Sequence, residues 1–265
     1  MASRSNLHSC QDGLQWAALS DVGKVRQNNE DAFALLPEHG LFIVSDGMGG
    51  CRAGETASKI VVEALPRMIE RRLAAIQSER ADVVSLALRD AIVDLSQQLR
   101  RQSAGNPDLA GMGATVALAC MRKDRLFIAH MGDSRAYLYR GGKLDQLTED
   151  HSVVGILLRG GEITPEEVEV HPARGVLSRY VGMEGMVYPD TRALELLAGD
   201  RLLLCTDGLT GMAPDSRIAE ILGACDDPQE ACQALVEAAN ASRGNDNVTA
   251  LVVAFENITS CEGAA

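Results

Sequence analysis

Asp31, Asp46, Asp133, Asp207 and Asp246 are scattered along the chain, yet each stands beside an end of a short apolar run. Asp46 follows Leu41–Ser45, Asp133 follows Leu126–Met131, and Asp207 follows Arg201–Cys205. Asp31 precedes Ala32–Leu36, and Asp246 precedes Val248–Phe255. If these runs are strands of one sheet core, carboxylates at their ends can converge on one edge. Carboxylates packed together repel, and some must take up protons unless a cation neutralises them. Hard divalent ions, Mg²⁺ and Mn²⁺, prefer such oxygen donors. The chain has only five histidines and no HxH or HExxH pair, which disfavours zinc. No acidic run has the spacing of an EF-hand loop. Two adjacent hard ions can generate hydroxide from water and hold phosphoryl oxygens for in-line displacement. Arg26, five residues before Asp31, is the candidate cation for an anionic substrate, because a guanidinium fork matches phosphate geometry. Asp46-Gly47 and Asp207-Gly208 taken singly read as turn dipeptides, so the weight rests on the joint pattern.

The elements that must position these residues follow from periodicity. Leu14–Leu19 and Ala32–Leu36 read as strands around the polar loop Asp21–Asp31. Leu41–Ser45 is a buried strand entering a turn at Asp46-Gly47. Glu55–Ile76 is helical in pattern, with Pro66 marking a kink or a break. Asp82 is the expected N-cap of a second helix, in which Val84, Leu88, Ala91, Leu95 and Leu99 recur at steps of three and four. After a loop at Gln102–Gly113 the period changes. Ala114–Met121, Leu126–Met131 and Arg135–Tyr139 read as strands joined by turns at Lys123-Asp124 and Gly141-Gly142. His151–Gly185 is polar and irregular, a long surface excursion of the kind that is often functional. Arg201–Cys205 is a further strand, Ser216–Gly223 and Pro228–Ser242 are helices, Gly244 is a stop signal, and Val248–Phe255 is the last strand. Helices inserted between runs of antiparallel strands, without regular alternation, point to an α+β domain.

Composition narrows the function classes. The chain has 265 residues and a net charge of −12, which argues against a nucleic-acid-binding surface. Aromatics are 3%, so Val, Leu, Ile, Ala and Met must build the core. The seven cysteines, an odd number with no CxxC pair, read as small hydrophobes in a reducing cytoplasm. No secretory leader or membrane-spanning run is visible, so the expected location is cytoplasmic.

The segments DVGKVRQNNEDAF, FIVSDGMGG, AGETAS, GATVALA, AHMGDSRAYLYR, LTEDHS, LSRYVG, LLLCTDGLT and NDNVTALVV run in order from Asp21 to Val253. In these the chain resembles the metal-dependent serine/threonine protein phosphatases of the 2C type in their compact bacterial form. The resemblance implies a four-layer αββα sandwich, two stacked antiparallel sheets each covered by a pair of helices. It implies a single domain over residues 10–256, a mobile flap at 151–185 and flexible tails at 1–9 and 257–265. It implies two Mn²⁺ or Mg²⁺ ions. Asp46 would bridge them, the carbonyl of Gly47 would bind one, and Asp207 and Asp246 would hold the other. Asp31 and Glu30 would act through metal-bound water, Asp133 with Asp207 would form a third metal site, and Arg26 would hold the substrate phosphate. Hydrolysis of phosphoserine and phosphothreonine would proceed by in-line attack of a metal-bridging water, without a phosphoenzyme. The partners would be phosphorylated proteins, products of a cognate serine/threonine kinase, acted on by a monomer without nucleic acid or membrane.

Two positions depart from relatives. Met48 stands where many eukaryotic members have a histidine that is a candidate general acid, and a thioether cannot donate a proton. Cys51 stands where bacterial members often have histidine; its bland reading is a tolerated loop substitution, and its sharper one is a redox-sensitive thiol near the metals. His130 and His151 flank motifs and read as structural. A catalytically inert phosphoprotein-binding relative would have lost some of the acidic positions or Arg26; all remain. A nuclease using the same ions would need a basic stripe that the chain lacks.

Overall fold

A computed structural model describes residues 3–5, 13–49, 53–106, 109, 111–168 and 170–256. Its strands are β1 (Ser3–Ser5), β2 (Leu14–Asp21), β3 (Asp31–Leu36), β4 (Leu41–Met48), β5 (Gly113–Ala114) and β6 (Val116–Arg122). They continue as β7 (Arg125–Met131), β8 (Arg135–Arg140), β9 (Lys143–Gln146), β10 (Asp190–Glu195), β11 (Arg201–Cys205) and β12 (Val248–Phe255). The helices are α1 (Ala53–Ala75), α2 (Ala81–Ala104), α3 (Val153–Arg159), α4 (Pro165–Val168), α5 (Asp207–Thr210), α6 (Asp215–Ala224) and α7 (Pro228–Ser242).

One sheet has the order β1-β2-β12-β11-β8-β9, and the other β10-β7-β6-β4-β3, with β5 paired to β4. All pairings are antiparallel. Alternation along the central strands explains the layering. Phe42 and Val44 of β4 pack with Trp16, Ile128, Leu204, Leu251 and Val253 between the sheets. Leu41 and Ile43 face the other way, against Val61, Leu65, Leu88 and Leu95 of α1 and α2. Leu251, Val253 and Phe255 of β12 enter the inter-sheet core, whereas Val248, Ala250 and Val252 meet Ile218, Leu222, Leu235 and Val236 of α6 and α7. A strand buried on both faces needs no polar side, which is why β12 reads as a continuous apolar run. The layers are therefore helix, sheet, sheet, helix, as expected.

Several local expectations change. α1 runs through Pro66, which is buried within it and does not break it. Asp82 is not the N-cap of α2; that position is Arg80, whose guanidinium holds both carboxylate oxygens of Asp82 at 3.0 Å. Asp82 instead sits in the first turn, where a negative charge suits the helix dipole. The excursion at 151–185 carries α3, capped by the Ser152 hydroxyl accepting from Gly155 N, and α4. Ser3–Ser5, within the expected flexible tail, pairs with β2, so this part is strand; the other expected tail, 257–265, lies outside the described residues. β12 pairs with β2 from Val248↔Asp21 to Phe255↔Leu14.

Candidate metal centre

Asp46 does not precede a turn. β4 continues through it to Met48, and Gly47 and Met48 pair with Ala114 and Gly113 of β5. Gly47 is required for close approach rather than for conformation: a Cβ there would lie 2.0 Å from the Gly54 carbonyl oxygen and 2.9 Å from that of Glu30. Asp207-Gly208 likewise opens the short helix α5, and a Cβ on Gly208 would lie 1.8 Å from the Asn247 carbonyl oxygen. Gly47 lets β4 close on the start of α1 and on the Glu30 backbone, and Gly208 lets α5 close on the residue before β12; turn chemistry would require neither. At Gly132, by contrast, φ is +114°, and a Cβ would strike Thr115 at 2.6 Å.

These contacts gather Glu30, Asp46, Gly47, Asp133, Asp207 and Asp246 around one cavity of about 600 Å³, together with Arg26, Met48, Thr115 and Asn247. Gly175 and Leu177 of the 151–185 segment line its side. Asp31 is brought to the same place but lies beneath the wall, directly across the β3–β4 ladder from Asp46. Cys51 is outside the described residues.

The electrostatics are those of anions without a counter-charge. Burial, then the charges of Asp31, Asp207, Asp133 and Asp246, push the Asp46 carboxyl well above the carboxylate range. Burial and the Asp207 charge do the same to Asp133. Asp207 is raised by burial and by Asp246, while Asp46, when protonated, can donate to it. Asp31 is pushed up to about 7, chiefly by burial. Glu30 Oε1, Asp31 Oδ1 and Asp207 Oδ1 are buried without a hydrogen-bonding partner among the described residues. Orphaned buried carboxylate oxygens cost free energy unless a proton or cation meets them. An all-oxygen donor set fits a hard divalent ion, so the residues present suit Mn²⁺ or Mg²⁺.

Arg26 is half exposed at the mouth and donates to Asp246 Oδ2 at 2.8 Å. Among the described residues lining the cavity it is the one cation.

The sequence reading missed two supports. Thr115 Oγ1 accepts from Asp46 N at 2.9 Å, Thr115 N donates to Asp46 O at 2.8 Å, and the hydroxyl meets Ser134 Oγ at 2.6 Å, so Asp46 is clamped by the residue between β5 and β6. The Asn247 side chain accepts from Glu30 N at 2.8 Å and donates to Val22 O and Asn28 O, fastening the 22–30 loop to the start of β12. The NDN triplet held that signal, since a buried amide between two loops must satisfy both its ends.

His130, His151 and Asp190 form a second group of potential ligands, but it is engaged internally. His151 Nδ1 accepts from Gly132 N at 3.2 Å, its Nε2 lies 2.9 Å from Asp190 Oδ2, and Arg179 also grips Asp190. His130 Nε2 reaches Glu149 O at 2.9 Å, and the two rings stack with centroids 4.5 Å apart. Burial and the neighbouring His130 lower His151 to about 4, and burial lowers His130, so both are neutral at pH 7. This knot ties the turn bearing Asp133 to the excursion and to β10.

The sequence matches the profile of the family described as "Protein phosphatase 2C" over residues 23–240. The serine/threonine phosphatase stp of Listeria welshimeri is 39% identical over 237 residues, 88% of this chain and 93% of that one. The crystal structure of the serine/threonine phosphatase Stp1 from Staphylococcus aureus superposes with a TM-score of 0.83 at 32% identity, covering 96% of this chain and 100% of the other. The catalytic domain of the serine/threonine protein phosphatase PstP, solved in complex with two manganese ions, has a TM-score of 0.77 at 34% identity, covering 92% of this chain and 99% of the other. The chain belongs to the protein phosphatase 2C family and is a metal-dependent serine/threonine protein phosphatase of the bacterial type.

Proposed function

We propose that the cavity of Asp46, Asp207, Asp246 and Arg26 is where this chain hydrolyses phosphoserine and phosphothreonine on protein substrates, with two Mn²⁺ or Mg²⁺ ions and a third where Asp133 joins Asp207. The observation that carries the assignment is the buried carboxylate cluster with orphaned oxygens, open at one side to Arg26. Asp46, the Gly47 carbonyl, Asp207 and Asp246 are the direct ligands in this reading, and Asp31 and Glu30 act through water. When bound, the ions supply a water nucleophile at neutral pH and neutralise the phosphoryl charge.

The protein's own groups do the rest. Arg26 reaches the mouth of the cavity and orients the phosphate by paired N–H donors. Thr115 and Asn247 hold Asp46 and the 22–30 loop, so that the donors keep their places as substrate enters. The Met48 thioether of the wall cannot donate a proton, so the leaving alkoxide takes its proton from water or from another residue of the wall. The 151–185 segment, which lines the cavity at Gly175 and Leu177, acts as a flap beside the substrate.

Protein-bound phosphate monoesters are made by phosphoryl transfer, so the substrates are products of a cognate serine/threonine kinase. The cysteines Cys120, Cys205, Cys225 and Cys232 are unbridged, which supports a reducing cytoplasm, and no helix among the described residues is long and apolar enough to cross a membrane. We read the enzyme as a monomer. The deciding experiment is hydrolysis of phosphothreonine, phosphoserine and phosphotyrosine peptides with and without Mn²⁺. Mn²⁺-dependent turnover of the first two supports the reading; full activity in chelator ends it.

A further inference from the structure

Asp31 is held by a set of hydroxyls that the roles above leave unused. Its Oδ2 receives Thr206 Oγ1 at 2.8 Å and Thr249 Oγ1 at 2.6 Å. Its Oδ1 is buried with no hydrogen-bonding partner among the described residues.

The proton directions in this set are fixed by counting. Thr206 Oγ1 accepts from Thr249 N at 3.0 Å and spends its own proton on Asp31. Thr249 Oγ1 likewise spends its proton on Asp31, so its 2.8 Å contact with Ser20 Oγ must be donated by Ser20. Ser20 Oγ accepts from Asn29 Nδ2 at 2.8 Å, and Asn29 Oδ1 accepts from Asp31 N at 3.1 Å. A closed ring of donors therefore runs Asn29, Ser20, Thr249, Asp31 and back to Asn29. Each hydroxyl has one proton and one destination. Ser20 and Thr249 are cross-strand partners in the β2–β12 ladder, so sheet register builds half of the ring.

We propose that Thr206 and Thr249 are positioning residues for the metal centre: together they saturate Oδ2 of Asp31, fix the carboxylate plane, and leave Oδ1 as its free donor. The inference rests on the metal-centre reading above. Thr206 adjoins Asp207, and Thr249 is three residues past Asp246. The segments that deliver two direct ligands thus also set the orientation of a third carboxylate. Outer partners of direct metal ligands tune affinity by about 10–100-fold; Asp31 acts through water, so the effect of its own partners is smaller.

The test is Mn²⁺ titration by calorimetry, with phosphothreonine-peptide kinetics alongside, on the full chain carrying Thr249→Val, Thr206→Val and Thr249→Ser. Thr249→Val keeps the shape and removes the hydroxyl. It should weaken Mn²⁺ binding severalfold, short of the roughly tenfold or larger loss on removing a partner of a direct ligand, and lower kcat at fixed Mn²⁺, with the peptide KM unchanged because Arg26 is untouched. Thr249→Ser should restore both. Wild-type Mn²⁺ affinity in Thr249→Val overturns the proposal, and so does a Thr249→Ser variant as impaired as the valine, since the methyl contact would then be what matters. If the valine variants do not fold, Ser20→Ala reads the same ring with both threonines in place. A weaker Mn²⁺ affinity supports the ring, and an unchanged one overturns it. A wild-type protein that binds no Mn²⁺ overturns the metal-centre reading, and the ring's role with it.

Discussion

Arg26 donates to Oδ2 of Asp246 at 2.8 Å, so the side chain proposed to grip substrate phosphate rests on a proposed metal ligand. Both groups are partly exposed, and a pair of this kind contributes little to stability in water. Its meaning is competition: a metal ion drawing on Asp246 releases the guanidinium for substrate.

Arg26→Ala should therefore separate two effects. The KM for a phosphothreonine peptide should rise by about tenfold or more, the loss expected when a charge-assisted phosphate contact is removed. Mn²⁺ affinity should not fall, because a competing cation has gone. Steady-state kinetics and calorimetry check the two halves; an effect on kcat alone would contradict the phosphate role.

Asp46→Asn should abolish hydrolysis, by roughly a hundredfold or more, since several kcal/mol of transition-state stabilisation depend on the charge held there. The same change removes a buried carboxyl that, among Asp31, Asp133, Asp207 and Asp246, must hold a proton well above its usual range. In chelator the variant should therefore melt higher than wild type, by about 2–4 °C, the shift that roughly 1 kcal/mol makes in a chain of this size. Differential scanning calorimetry with a parallel activity assay reads both.

Stability of the metal-free protein should fall as pH rises. The folded carboxyl of Asp31 titrates near 7, and those of Asp46 and Asp133 are also raised, whereas unfolded aspartates titrate near 4. Between those values the folded state binds more protons than the unfolded state, so raising the pH favours unfolding. Melting temperature in chelator should decline from about pH 4 to beyond pH 7. Added Mn²⁺ should raise it, more at pH 8 than at pH 5. A flat profile in chelator would contradict the clustering of uncompensated carboxylates.

Gly208→Ala should be severe although the residue has no unusual φ. Its Cβ would overlap the Asn247 carbonyl oxygen, so the α5 start and the β12 start must separate, at a cost of about 2–4 kcal/mol. Gly105→Ala is the control: nothing lies within 4 Å of its Cβ, and stability should stay within about 1 kcal/mol of wild type. Chemical denaturation of both variants tests the contrast.

The strands that bear the candidate ligands were legible because they are buried on both faces. β4, β11 and β12 can tolerate little but apolar residues, and a carboxylate beside such a run stands out. β10 was not legible, because it is an edge strand with Thr191, Arg192 and Ala193 exposed and only a partly buried Leu194 packing against the inter-sheet core. The dipeptides Asp46-Gly47 and Asp207-Gly208 were visible, but their reason was not. Turn preference is local, whereas the carbonyls these glycines must clear, those of Gly54 and Glu30 for Gly47 and of Asn247 for Gly208, belong to other elements. Thr206 and Thr249 stayed silent for a related cause: a threonine within a strand, or just past the end of one, needs no explanation until its hydroxyl is seen to have a buried carboxylate as its acceptor. Asp82 was misplaced as a cap because Arg80 claims its side chain.

The β2–β12 ladder runs from Asp21↔Val248, beside the proposed metal ligands, to Leu14↔Phe255 at its far end. At about 3.3 Å per residue the far pair is roughly 23 Å away. Anything joined beyond Phe255, whether a reporter, a surface tether or a targeting module, would hang from the pole opposite the catalytic mouth. Leu14 and Phe255 are also strand neighbours, so a short linker between them would let the chain be cut open elsewhere at the loss of β1 alone from the sheets. That geometry offers an attachment point for recruiting the phosphatase to chosen substrates without obstructing its cavity.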